Sequence, residues 1–260
     1  MTAPRANKSL TDGLKCIQWI LTQSAPVSLQ DLAVALGFET TRAHRLLKTF
    51  VQSGFLRQTT GRRYEAGPAI FYLAMQTLHD SHLLEAALPP LEKLRYGGSH
   101  KVAMGVLWNR QVSYLYHALP QEPIERAIGG CGMYHATNSG IGIATLARLE
   151  DHEVEAMYSG HPTPNFPGGI PELLEHLHEV RETGYAYVTV CGGASCTLAL
   201  SLPSNPSMAI ALAGRITPDE IPALLPELSA TIKEIEAAMR PNGPLTSLKS
   251  LRERRARDLV

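Results

Sequence analysis

No stretch of this sequence approaches the roughly 18 consecutive apolar residues that a membrane span requires, so no membrane partner is expected. The opening MTAPRANKSLTDGLK has no apolar core of the kind a secretion signal carries, and the cytoplasm is the expected location. Cysteine is sparse. Cys16, Cys131, Cys191 and Cys196 are scattered, none stands in a CxxC spacing, and all four read as reduced thiols. Phosphate-cradling glycine patterns are missing, since Gly168-Gly169 and Gly192-Gly193 lack a P-loop or GxGxxG context. His176 and His178, two apart on a helical pattern, point to different faces and cannot form an HxxxH metal pair. Asp31, Glu39 and Glu65 form no acid pair, and Cys196 has no partner base in the sequence. No catalytic residue, metal or cofactor is therefore assigned. A small-molecule enzyme carrying a helical appendage stays as the alternative reading.

Net charge is also lacking, but its absence hides a segregation. Residues 1–67 hold nine Lys or Arg against four acids, a net of +5. Residues 68–240 hold ten basic and 18 acidic residues, a net of −8, and residues 241–260 return to +3. A basic head on an acidic body suits a polyanion-binding module joined to something else. With 44% hydrophobic and 18% charged residues over 260 positions, the chain can bury a substantial core.

Apolar residues at helical spacing (Leu14, Ile17, Ile20, Leu21) predict a first helix over 11–23. Ser28 can cap a second over 29–36, with Gly37 as its C-terminal stop. Thr40 or Thr41 opens a third, over 42–52. Two short runs around Thr60-Gly61 then read as a hairpin. A continuous helical pattern over 69–82 looks like a connector, and Pro89-Pro90 is expected to break the helical pattern that runs on to Leu94. Strands are expected over 102–107, 112–116, 185–190, 196–202 and 208–213. Helices are expected over 141–149, 171–183 and 218–239. Strands and helices mix without alternation, which predicts an α+β body with an antiparallel sheet. The organisation is read as a winged helix-turn-helix (1–67), a linker helix (68–82), an α+β body (83–240) and a basic, frayed tail (241–260).

Three short helices and a hairpin make a winged helix-turn-helix if the third helix carries donors at its exposed N-terminal end. Thr40, Thr41, Arg42, His44 and Arg45 supply them, and Arg42 or Arg45 can bridge guanine O6 and N7. Lys48, a turn later, suits a phosphate, as does Gln30 at the start of the second helix. Arg62 and Arg63 in the wing suit the backbone or minor groove. Double-stranded DNA is the expected partner. One winged helix covers little DNA, so a two-fold assembly is expected as well.

These residues carry a resemblance. Leu29–Gly37, Arg42-Ala43-His44-Arg45-Leu46-Leu47, Gly54-Phe55-Leu56 and Arg63-Tyr64-Glu65-Ala66-Gly67 resemble the DNA-binding half of the IclR family of bacterial regulators. His135-Ala136-Thr137, Gly142-Ile143-Ala144, Val180-Arg181-Glu182-Thr183-Gly184-Tyr185-Ala186 and Gly193-Ala194-Ser195-Cys196 resemble its effector half. The similarity spans about 9–240, and order and spacing make it specific where single motifs are not. It implies a GAF-like effector domain, a small organic effector, a homodimer or dimer of dimers, and a repressor as the expected sign. It also implies that backbone N–H groups at Gly140 and Ile141 hold the effector's acid. Where the family often has an acid and two serines, this chain has Tyr187-Val188, Ala211 and Ala213. Those losses predict an aromatic or apolar catabolite in a pocket of Met133, Gly140, Ile141, Ala194, Cys196, Ala211 and Ala213. Ala211 and Ala213 read equally well as plain core residues.

Overall fold

The computed structural model describes residues 7–129, 132–190 and 195–239. Cys131, Cys191, Ala194 and the expected tail over 241–260 lie outside the described residues. The chain forms two compact units that divide between Ser81 and His82.

The first unit opens with α1 (Lys8–Leu21), α2 (Leu29–Leu36) and α3 (Thr40–Gln52). Helix α1 starts three residues before the expected position because the Asn7 side chain accepts from the Ser9 and Leu10 N–H groups. Apolar periodicity, which begins at Leu14, cannot reveal that cap. Ser28 and Asp31 form a reciprocal capping box on α2, and Gly37 closes it at φ 64°. The wing is an antiparallel pair, β1 (Leu56–Gln58) and β2 (Tyr64–Ala66). Cys16, Ile20, Leu32, Ala33, Ala43, Leu47, Leu56 and Tyr64 fill the core between helices and wing. Helix α4 (Pro68–Ser81) ends the unit.

The second unit is built on a six-stranded sheet whose hydrogen-bonded neighbours are all antiparallel, in the order β5-β4-β3-β8-β7-β6. Its strands are β3 (Lys101–Trp108), β4 (Gln111–Ala118), β5 (Met133–His135), β6 (Ala186–Val190), β7 (Ser195–Ser201) and β8 (Met208–Gly214). Helices α5 (Leu83–Gly97) and α10 (Ile221–Met239) cover one face, and the short α6 (Ile124–Ala127) lies beside it. Helices α7 (Gly140–Leu146), α8 (Asp151–Tyr158) and α9 (Ile170–Thr183) cover the other. The α+β body with an antiparallel sheet is as expected. The expected break at Pro89-Pro90 is not there: both prolines lie inside α5. The chain turns instead at His82, at φ 49°. Leu83, Ala86, Ala87, Pro90, Leu91 and Leu94 form one buried stripe on α5, and that burial offsets the two missing helical N–H donors.

Strand alternation sorts large side chains from small. Val102, Met104, Leu198, Ile210 and Leu212 face α5 and α10. Ala103, Ala199, Ala209 and Ala211 face α7. A floor of methyl groups lets α7 lie close on the sheet, and every residue of α7 is buried.

Candidate nucleic-acid interface and effector site

On α3, Ala43 and Leu47 turn inward, while Thr40, Thr41, His44, Arg45 and Lys48 are exposed. Gln30, Arg62 and Arg63 are exposed on α2 and the wing. Arg42 departs from expectation. Its guanidinium ion-pairs with Asp12 of α1, a carboxylate only 5% exposed, and stands 5.6 Å over the Phe38 ring. Engaged on both sides, Arg42 joins α3 to α1, a structural tie that competes with the base contact expected of it. Arg63 is also engaged: its Nη1 donates to the Pro26 carbonyl at 3.1 Å and lies 4.0 Å from Asp31, which ties the wing to α2. Arg45 is exposed and has no such tie among the described residues. Burial first, and then the Asp12 charge, pushes the Cys16 thiol up to about 11, so it stays protonated and inert.

In the second unit, the residues expected to line the pocket do not all share a face. Gly140 and Ile141 lie on the sheet side carrying Ala211 and Ala213. An added Cβ at Gly140 would stand 2.6 Å from Thr197 Cγ2. Cys196 is one residue from Thr197 and therefore faces the opposite way, into the core with Leu198 and Ile210. That removes Cys196 from the proposed lining and puts Thr197 there. Ile141 of α7 is fully buried and Ala211 of β8 is 1% exposed, so both are packing residues where α7 meets the sheet. Met133 lies on the edge strand β5, three strands away from Ala211.

The side chains that reach the accessible end of this face are different ones. Lys101, Ala213 and Thr197 sit side by side across β3, β8 and β7, all half-buried. His117 lies opposite Ala103 and diagonal to Lys101. The Tyr114 ring packs 5.1 Å from His117, and its hydroxyl lies 3.2 Å from Ser139 Oγ, at the start of α7. Burial, followed by the Lys101 charge, holds His117 below the usual imidazole range, with Glu122 acting the other way. Sequence reasoning misses Lys101, Tyr114, His117, Ser139 and Thr197. A lysine at the start of β3 and a histidine next to the end of β4 are the available signal.

The family description "IclR helix-turn-helix domain" matches residues 9–60, which span the three helices and the first wing strand. "Bacterial transcriptional regulator IclR C-terminal" matches 75–190. The transcriptional repressor IclR of Escherichia coli K12 is 30% identical over 91% of this chain and 92% of its own. The chain belongs to the IclR family. Two solved IclR-family structures share its fold. The regulator from Brucella abortus is 20% identical over 92% of this chain and 96% of its own, with a TM-score of 0.73. An IclR homologue from Microbacterium hydrocarbonoxydans, complexed with 4-hydroxybenzoate, is 18% identical over 90% of this chain and all of its own, at TM-score 0.66. IclR proteins are transcription regulators, which removes the enzyme alternative. No helix among the described residues is long and apolar enough to cross a membrane.

Proposed function

We propose that this IclR-family chain is a cytoplasmic repressor that binds a palindromic operator as a homodimer or dimer of dimers and responds to a small organic effector with an aromatic body. The observation that carries the DNA reading is the α3 surface: Arg45 and His44 project from the exposed face of a helix whose other face is locked into a core. The printed name of the Escherichia coli relative supports the sign, and the 4-hydroxybenzoate held by the Microbacterium homologue supports the effector class. In this reading residues 1–67 bind DNA, 68–82 link, and 83–240 bind effector.

Arg45→Ala is expected to weaken operator binding by about 1–3 kcal/mol, the worth of one bidentate base contact, and to relax specificity at one base pair. Lys48→Ala is expected to weaken all sequences alike and to flatten the salt dependence. Footprinting titrations at several salt concentrations separate the two. Wild-type affinity in Arg45→Ala would remove Arg45 from base reading.

The assembly reading rests on α4, where Phe71, Tyr72 and Met75 are each about two-thirds exposed (65%, 66% and 65%). Such a cluster on one helix marks a pairing surface. The double variant Phe71→Glu/Met75→Glu is expected to sediment as a monomer at micromolar concentration and to lose most of its operator affinity. Undiminished self-association in that variant would place the interface elsewhere.

A further inference from the structure

We propose that Glu92, Arg95 and Tyr116 form a buried relay that ties strand β4 to helix α5, so that effector binding on one face of β4 is passed to the helix packed on the other. The relay presupposes the effector reading above and adds positioning residues that govern the response without touching the ligand.

Arg95 lies in the last turn of α5 and is fully buried, although the rest of that helix's buried stripe is apolar. Its Nη2 donates to the Glu92 carboxylate one turn back. Its Nη1 donates to two main-chain carbonyls of the segment leaving β4, Leu119 at 3.1 Å and Glu122. That segment closes on itself around the guanidinium: the Glu122 N–H donates to the Leu119 carbonyl, and the Leu119 N–H donates to Glu122 Oε2, both at 3.1 Å. The second oxygen of Glu92 accepts from the Tyr116 hydroxyl. Burial first, and then the Glu92 hydrogen bond, pushes the Tyr116 phenol above its ordinary range, so it stays a donor. One carboxylate and one guanidinium thus join α5 to β4 at Tyr116 and just beyond the strand's end.

Stability is not what such a network chiefly supplies. Arg95 Nε has no partner among the described residues, and a buried cation one acceptor short adds little over apolar packing. What it supplies is fixed geometry. Apolar side chains can slide past one another, whereas a hydrogen bond weakens steeply once stretched by about half an ångström. β4 carries both sides of the relay. Tyr114 and His117 face α7, while Tyr116, between them, faces the core beneath α5. Leu119 follows two residues after His117. A shift of β4 that accommodates a ligand on the α7 side therefore moves Tyr116 and the Leu119 carbonyl together, and α5 must follow or lose both bonds. α5 is also the helix that the chain enters from the linker, at His82.

Operator titrations on the full chain with and without 4-hydroxybenzoate, paired with calorimetry of the same ligand, test the relay. Saturating ligand is expected to change wild-type operator affinity by about tenfold or more. Tyr116→Phe keeps the ring and removes only the hydroxyl. It is expected to bind ligand, and ligand-free to bind operator, within about twofold of wild type, yet to respond to ligand by less than about threefold. Arg95→Lys cannot span the carboxylate and both carbonyls, and the same loss of response is expected from it. If Tyr116→Phe keeps the wild-type response, the relay falls and the effector reading stands. If either variant loses ligand affinity in step with its response, the residues only support the fold, and the relay falls as well. If 4-hydroxybenzoate leaves wild-type operator binding unchanged, both readings fall.

Discussion

Gly142→Ala is expected to unfold the effector unit at a temperature where the wild type is intact. A Cβ at residue 142 would sit 2.1 Å from the Ala136 carbonyl oxygen and 2.5 Å from its Cα, and both are backbone atoms that cannot rotate away. Helix α7 cannot retreat either. Gly140 already meets Thr197, and Ile141 lies against the β3–β4 pair at Gly105. Overpacking in a core costs ~1–3 kcal/mol, and a clash with rigid backbone belongs at or above the top of that range. Circular dichroism melting should show the loss directly, with effector binding lost in parallel. A melting curve unchanged from the wild type would mean that α7 does not sit on the sheet as described.

Arg42→Ala is expected to destabilise the DNA-binding unit and, through that, to weaken operator binding. The truncation strands Asp12 in the core without its cation. Losing one partner of a buried pair costs about 3–5 kcal/mol. Arg42 is 36% exposed, so a figure of about 2–3 kcal/mol is expected after allowing for solvent screening. Arg45→Ala, by contrast, should leave the urea midpoint unmoved while weakening the same operator. The double variant Asp12→Ala/Arg42→Ala should regain part of the stability lost in Arg42→Ala, because the stranded charge is gone. Equal urea midpoints for Arg42→Ala and wild type would return Arg42 to the pool of DNA-reading residues.

Much of the DNA-binding unit is legible in the sequence. Helix α2 runs over the residues its pattern indicates, because Ser28, Asp31 and Gly37 are local signals that act within a turn of where they stand. The wing follows from Gly61, with φ 78°, between two short β-prone runs. Arg42 is not legible in the same way: its partner, Asp12, is 30 residues away on α1, and spacing along α3 says nothing about that. In the effector unit, β5, α6 and α8 escape a reading by pattern, being short and weakly periodic. The expected pocket fails at Cys196 because proximity in sequence does not give a shared face: neighbours on a strand face opposite ways.

Composition, caps and periodicity by themselves determined a basic three-helix head with a wing, an acidic α+β body, and a donor-bearing helix beginning at Thr40. Those properties depend on interactions within a few residues, or on averages over many. Only the tertiary structure decided which side chains face which. A register shift between Met104 and Gly105 puts Leu115 out of step on β4, so Tyr114 and His117 share the α7 side while Tyr116 turns to the other core. Strict alternation would have placed Tyr114 with Tyr116 and His117 apart from both. One extra residue in a strand reverses every side chain beyond it, and its position is settled by the hydrogen-bond register of the neighbouring strand.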